Sequence, residues 1–369
     1  MDQNSITADK LKLKTPESSI DADFHIEFTS LANFTDSLQF SNLNLMMRKI
    51  SLKNPDVLYF NAELKKQPFF INPANITTMS GTVNGLLNNL TGKNLYIKTG
   101  KNTVLETDFN IRGLPEAKTA TYDFPNLKII SGKKDIELMA GDSIPENIAL
   151  PENINMQIAF KGEVKSFETT VNANSSFGDA QLSATIDKSE NFSGKLNTTN
   201  FDLGKLLKDT VMYGPVSLTA ETSGHGLDKN TVAAKIKAEI SQIYLYQYTY
   251  HNFNLDGNIS GQEFEGKMNL NDENAVFDFE GLVSLNPDKE RIKFRLNVEG
   301  ADLQKLNFTK NDIRIALVAA ADLKGGTVKK LNGSGAITNM IIAQGEETYT
   351  LDSLLFASVN ESRKSEINF

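Results

Sequence analysis

Apolar and polar residues alternate along most of this chain, and alternation is the pattern of a β-strand that has one face in an apolar environment and the other in water. Short polar turns separate the alternating segments, and the chain offers no regular segments of helix length to connect parallel strands. Leucines follow a helical spacing in a few places, including Gly85–Leu90 and Phe201–Lys208, where we expect one or two helical turns. The sequence therefore predicts an all-β fold in which consecutive strands pair antiparallel.

A repeated segment indicates how the strands are organised. Phe201-Asp202-Leu203-Gly204-Lys205-Leu206 returns one hundred residues later as Ala301-Asp302-Leu303-Gln304-Lys305-Leu306, with matching alternation on either side. A repeated unit of strand, short helix and strand is typical of a single sheet that grows unit by unit, although a short string of this kind can also recur by chance. We predict one continuous segment over 1–369, with approximate repeat units 1–115, 116–209, 210–309 and a truncated 310–369.

Composition excludes several classes of site. Asp and Glu outnumber Lys and Arg by 46 to 38, and the formal charge of -8 disfavours a partner with a phosphate backbone, so we expect no nucleic acid. The chain has no cysteine, which removes thiolate nucleophiles, disulfides and thiolate metal sites. Its three histidines, His25, His225 and His251, are far apart in sequence and no catalytic motif accompanies them. We therefore expect no enzyme, no metal site and no cofactor.

The two ends of the chain indicate a piece of a longer protein. No apolar run reaches the ~18 residues that a membrane-spanning helix needs. The first residues, Met1-Asp2-Gln3-Asn4-Ser5, have neither the basic nor the apolar region of a signal peptide, and the last residues, 365–369, stop inside an alternating pattern. We expect an excised fragment.

Four tyrosines alternate in the segment Tyr244-Leu245-Tyr246-Gln247-Tyr248-Thr249-Tyr250. In a continuous strand they would share one face, while Leu245, Gln247 and Thr249 would share the other. Such a stripe is either a structural cross-strand cluster or a surface that stacks on a ligand, and the sequence leaves both interpretations open.

Several motifs resemble one family of envelope proteins. They are Gly81-Thr82-Val83-Asn84-Gly85, Ile111-Arg112-Gly113-Leu114-Pro115, Phe160-Lys161-Gly162, Ser176-Phe177-Gly178, Phe201 through Leu207, and Gly224-His225-Gly226-Leu227. Together they resemble the TamB branch of the AsmA-like proteins, of the type found in Bacteroides-like bacteria. The resemblance covers nearly the whole chain, but it consists of structural glycines and apolar positions.

This resemblance implies a fold, a place in the cell and partners. The fold would be an elongated antiparallel sheet curled into a U-shaped apolar groove, with short helices between repeat units. The segment would be periplasmic and would carry phospholipid acyl chains between the inner and outer membranes, supporting outer-membrane assembly. Its partners would be phospholipids, a BamA-like outer-membrane barrel protein reached through regions outside this fragment, and the inner membrane through an N-terminal anchor that the chain does not contain.

The apolar residues of the alternating segments are the candidate site. We predict that the lipid groove is lined by Phe24, Ile26, Phe28, Ile154, Met156, Ile158, Phe160, Leu218, Ile236, Ala238, Ile240, Phe294 and Leu296. Their neighbours Asn155, Gln157, Lys235 and Lys237 are expected to face water. A structural or adhesive β-repeat protein with a closed, dry core is the alternative, because both architectures bury one face of every strand.

Overall fold

The computed structural model describes residues 5–28, 41–141, 144–286, 289–325, 332–361 and 364–368, of which 359–361 and 364–368 are described by their backbone alone. The chain divides into two compact units. Unit 1 comprises Met1–Lys188 together with Leu206–Lys208. Unit 2 comprises Ser189–Lys205 together with Asp209–Phe369.

The described part of unit 1 contains ten strands, each hydrogen-bonded antiparallel to the next along the chain. These strands are β1 (Ser5–Lys14), β2 (Ser19–Glu27), β3 (Asn42–Lys53), β4 (Ile76–Leu86), β5 (Asn89–Thr99), β6 (Thr103–Arg112), β7 (Thr121–Gly132), β8 (Asn153–Glu163), β9 (Ser166–Ser175) and β10 (Gly178–Ile186). Short helical segments follow β3 and β7, namely the helices Asn54–Phe60, Pro68–Ile71 and Lys133–Ala140 and the 3-10 turn Ala62–Lys66.

The described part of unit 2 contains eleven strands with the same sequential antiparallel pairing. These strands are β11 (Asn191–Asp202), β12 (Tyr213–His225), β13 (Ala233–Leu245), β14 (Tyr248–Ser260), β15 (Glu263–Asp272), β16 (Ala275–Ser284), β17 (Arg291–Asp302), β18 (Ile313–Lys324), β19 (Asn332–Gln344), β20 (Glu347–Glu361) and β21 (Lys364–Asn368). The helix Leu203–Leu207 follows β11.

The predicted all-β antiparallel fold is confirmed. Strands make up well over half of the described residues, and helices make up 9% of them. The short helix expected at Phe201–Lys208 is present as Leu203–Leu207. The one expected at Gly85–Leu90 is wrong, because this segment is the tight hairpin between β4 and β5, in which Leu86 pairs with Asn89. Gly85 takes a φ of 113°, a backbone conformation that a helix does not use.

The strand register places the repeated sequence in equivalent positions. β11 has a bulge between Thr198 and Phe201, and β17 has one between Val298 and Ala301, again one hundred residues apart. After each bulge an aspartate closes the next turn: Asp202 Oδ1 accepts a hydrogen bond from Lys205 N at 2.9 Å, and Asp302 Oδ1 accepts one from Lys305 N at 3.0 Å. The two segments therefore share the bulge and the turn that the aspartate closes, although the first continues as the helix Leu203–Leu207 and the second as a turn.

The tyrosine-rich segment corrects one expectation from the sequence. Tyr246 and Gln247 both have positive φ angles, 49° and 65°, and form the two-residue turn between β13 and β14. The segment is therefore a hairpin and not one strand, and the four tyrosines do not share a face. Tyr248 lies opposite Leu245, whereas Tyr244 lies opposite Thr249 on the other side of the sheet. Two-residue hairpins favour such left-handed turns because their twist matches that of the strands.

Candidate functional site: the apolar face of each unit

In unit 1 the cross-strand registers gather the apolar residues on one face. Residues that lie directly opposite each other in an antiparallel pair point to the same side of the sheet. Ile129 pairs with Met156 and Met156 with Ala173, while Leu127, Ile158 and Val171 form the next row. This apolar face carries the predicted residues of unit 1: Phe24, Ile26, Ile154, Met156, Ile158 and Phe160. Phe28 follows the end of β2 and is buried.

The same construction holds in unit 2. Leu218 pairs with Ile240, Ile240 with Phe253, and the rows continue strand by strand to β20. The predicted residues of unit 2 share this apolar face: Leu218, Ile236, Ala238, Ile240, Phe294 and Leu296. Their neighbours Lys235 and Lys237, like Asn155 and Gln157 in unit 1, are exposed on the opposite face.

The apolar faces are only half covered. Of the thirteen predicted lining residues, Phe28 and Ala238 are buried and the others are half-buried. Leu182 and Ile292, which belong to the same faces, are 39% and 43% exposed. The accessible surface of the chain is 23163 Å². Two separate compact proteins of half its mass would together expose roughly 18,000 Å². The chain therefore leaves more surface accessible than two compact proteins would, and the exposures of Leu182 and Ile292 show that part of this surface is apolar.

Phenylalanine rings lie against glycines along the apolar face. A Cβ placed on Gly92 would meet the ring of Phe109 at 2.3 Å, and one on Gly335 would meet the ring of Phe356 at the same distance. In the centre of unit 2, Phe279 and Phe294 stack with ring centroids 5.9 Å apart beside Gly281. These glycines have a packing role, since they allow an aromatic ring to lie flat on the neighbouring strand.

One end of the apolar face in unit 2 is closed by a small cluster. Leu270, Ala275 and Leu306 are buried together, and Leu306 comes from the segment that follows β17. Beside them the side chain of Asp272 is fully buried and accepts hydrogen bonds from Tyr248 Oη at 2.5 Å and from His251 N at 2.9 Å. Burial alone would raise the pKa of Asp272, but these hydrogen bonds outweigh it and lower the pKa below its usual value. Burial, together with the Asp272 carboxylate, raises the pKa of Tyr248 to about 12.

A buried aspartate also closes a turn in unit 1. Asp135 accepts hydrogen bonds from the backbone N–H groups of Lys101 and Asn102 and from the hydroxyl of Thr103. Burial opposes ionisation here too, yet the donors lower the pKa of the carboxyl group. No sequence pattern distinguishes Asp135 and Asp272 from other acidic residues, because their partners are set only by the strand register and the turns.

The opposite face of unit 2 carries an alternating charge ladder. Seven residues that follow one another across β11–β17 have alternating signs: Lys195, Glu221, Lys237, Asp256, Lys267, Glu280 and Arg295. Nζ–O distances are 2.8 Å for Lys195 with Glu221, 3.7 Å for Lys237 with Asp256 and 3.4 Å for Lys267 with Glu280. A slip by one residue would break every pair, so the ladder favours one register over others.

The charged face of unit 2 is also hollowed. A depression of about 1610 Å³ spans β14–β20 and is lined by charged residues that include Lys267, Glu280, Lys293 and Arg295. A smaller hollow of about 380 Å³ lies on the apolar side at the strand ends and contains Ile259, Phe264 and Val283. The hollow on the charged face could not be predicted from the sequence, since curvature is a property of the sheet and not of any one strand.

The described residues contain no group of three or more acidic or histidine side chains arranged to hold a metal ion. His25 bonds to Thr7 and Glu27, His225 to Asn191 and His251 to Asp272. Within the same part of the chain, no helix has the length and apolar character needed to cross a membrane.

The chain has no match among protein-family models, curated proteins or solved structures.

Proposed function

We propose that this chain is a segment of a bridge-like lipid transfer protein, in which phospholipid acyl chains move along the apolar face. The observation that carries the proposal is the half-covered apolar face itself. In unit 1 it continues through the described strands β1 to β10 without a charged residue in the central rows, one of which contains Leu127, Ile158 and Val171. A closed core would bury such residues almost completely.

The energetics of transfer support this function. Exposing an acyl chain to water costs about 0.8 kcal/mol of free energy for each CH₂ group, so exposing ~15 such groups costs about 12 kcal/mol. Contact with the apolar face along one side of the acyl chain would remove roughly half of this cost, and contact with neighbouring lipid would remove the remainder. No covalent step is needed, and directional movement would draw on an energy source or lipid gradient elsewhere.

The cellular setting is proposed from the resemblance to the TamB branch. We propose a periplasmic segment of an envelope protein that supports outer-membrane assembly, with a BamA-like partner and an inner-membrane anchor supplied by regions outside this chain. Phospholipid is the ligand that the apolar residues would contact directly.

The test compares one carboxylate on each side of the same strand. Ile158→Asp places a charge in the apolar face, whereas Asn155→Asp places one on the exposed face of β8. Each variant is purified, its co-purifying lipid is extracted and counted by native mass spectrometry, and its folding is checked by circular dichroism. We expect Ile158→Asp to lose bound lipid while remaining folded, and Asn155→Asp to keep it.

Two results would contradict the proposal. A folded Ile158→Asp protein that retains the full lipid content would show that the apolar face is not the lipid path. Lipid-free wild-type protein together with an unfolded Ile158→Asp variant would favour the structural β-repeat protein with a closed core.

A further inference from the structure

The helical segments of unit 1 form a second surface, distinct from the apolar face. β3 and β7 run in the same direction, and the helical segments that follow them lie at the same ends of the strands. We call residues 54–75 and 133–141 the helical rim. A Cβ on Gly141 would lie 3.2 Å from Pro68 Cγ, so the two parts of the rim contact each other.

The rim is held in place by a buried asparagine. Asn54 is 1% exposed, and its side-chain Nδ2 donates to Phe69 O at 2.7 Å and to Asn72 O at 2.9 Å. Its backbone N–H donates to Asn75 O at 3.1 Å, and this bond joins the two ends of the segment 54–75 that connects β3 to β4. Helices of this length are not stable alone, so these bonds fix the surface that the rim presents.

That surface displays large apolar side chains to solvent. Tyr59 and Phe60 are each 86% exposed and meet edge to face with ring centroids 5.5 Å apart. Ile71 is 62% exposed, and Leu138 and Met139 are also exposed. Aromatic side chains bury roughly 150–250 Å² each, so the two rings expose a few hundred Å², which is within the size range of the largest apolar patch on a typical monomer, a patch that is often functional.

Basic side chains surround the patch although the chain as a whole is acidic. Lys65, Lys66 and Lys134 are exposed on the rim, and Lys101 is exposed on the turn that Asp135 ties to it. The acidic residues of the rim partly offset them. Lys66 pairs with Glu63, Asp56 accepts a hydrogen bond from Thr15 at 2.7 Å, Asp135 is buried, and Glu137 is exposed. The rim itself carries four lysines and four acidic residues, so its formal charge is zero against -8 for the whole chain, and Lys101 on the adjoining turn adds one positive charge.

We propose that the helical rim docks on the surface of a lipid bilayer that contains anionic lipid. Tyr and Phe side chains favour the boundary between headgroups and acyl chains, and nearby lysines are attracted to anionic headgroups. This contact goes beyond lipid passage along the apolar face and does not depend on it. It would bring the ends of the strands that carry the apolar face close to a membrane.

The absence of tryptophan from the chain provides a direct probe. Phe60→Trp introduces a single indole at the rim, and Val164→Trp introduces one at the exposed hairpin on the opposite strand ends of the same unit. The probe membrane consists of vesicles with equal parts of phosphatidylcholine and phosphatidylglycerol. We expect the emission of Phe60→Trp to shift to shorter wavelength with these vesicles and to be quenched by brominated acyl chains, with no change in Val164→Trp.

A double substitution separates this contact from lipid passage. Tyr59→Ser with Phe60→Ser should reduce sedimentation with the vesicles by roughly tenfold or more, because both rings leave the interface. The same variant should keep its circular dichroism spectrum and its co-purified lipid. If the fold is kept and vesicle binding is unchanged, or if the Phe60→Trp emission does not respond to vesicles, the proposal is wrong. An emission shift that follows protein concentration without vesicles would instead assign the patch to a second copy of the chain and would also overturn the proposal.

Discussion

Adding one methyl group at Gly281 tests whether the aromatic rings pack on the glycines as described. A Cβ at this position would lie 2.8 Å from Lys293 O, 2.8 Å from Phe279 Cζ and 2.9 Å from Phe294 Cβ. The ring of Phe279 can turn away, but the carbonyl of Lys293 belongs to the main chain of β17 and moves only if the strands separate. Overpacking of this kind destabilises by about 1–3 kcal/mol.

Gly300→Ala is the matched control in the adjacent strand. A Cβ at Gly300 would meet no atom within 4 Å. Neither Gly281 nor Gly300 has a positive φ, so the backbone tolerates alanine at both. Removing a glycine restricts the unfolded chain, and Gly300→Ala should leave the stability unchanged or raise it by up to about 1 kcal/mol.

Urea and thermal unfolding of the two variants measure the difference. We expect Gly281→Ala to lower the melting temperature by roughly 2–12 °C for a unit of this size, while Gly300→Ala does not lower it. Equal stabilities would refute the packing argument, because they would mean that Phe279 and Lys293 do not crowd Gly281. A loss of stability in Gly300→Ala alone would refute it as well.

Three further predictions concern the buried carboxylates and the charge ladder. Asp272→Asn should destabilise by about 1–3 kcal/mol in denaturant unfolding at neutral pH, because Tyr248 and His251 N lose a charged acceptor; an unchanged midpoint would contradict the network. The folded-state pKa values of Asp135 and Asp272 lie below their unfolded values, so their stabilisation is present above a pH of about 4 and is lost as pH falls through the folded values. The melting temperature should therefore fall more steeply for the wild type than for Asp272→Asn as the pH is lowered from neutral to acidic. An equal pH dependence of the two melting temperatures would contradict this prediction. Lys237→Glu places three acidic groups in successive strands, and it should lower the melting temperature at low salt more than at high salt, unlike Lys237→Gln.

Alternation was sufficient to predict which side of each strand is apolar. Ile154, Met156 and Ile158 could be assigned to one face because side chains on a strand point to opposite sides in turn. The tight turn at Tyr246 and Gln247 escaped detection, because neither residue is one of the usual turn formers and the surrounding tyrosines continue the alternation.

Features that depend on register could not be derived from the sequence. The charge ladder exists only because Lys237 lies opposite both Glu221 and Asp256, and a shift of one residue in either hairpin would place other side chains there. The burial of Asp272 likewise depends on the meeting of three strands and a turn. The pattern of apolar and polar residues within one strand does not show which side chains of other strands lie opposite it.

The sequential pairing of the strands has a consequence for how a protein of this kind can change in length. Because the described strands within each unit pair with their neighbours in sequence, a duplicated hairpin could be inserted between two others of the same unit and would widen its sheet by roughly 10 Å. The apolar side would remain on the same side, since an inserted pair restores the strand direction. A single inserted strand would reverse every strand after it. The hairpin is therefore the smallest insertion that keeps the direction and the apolar side of every strand that follows it.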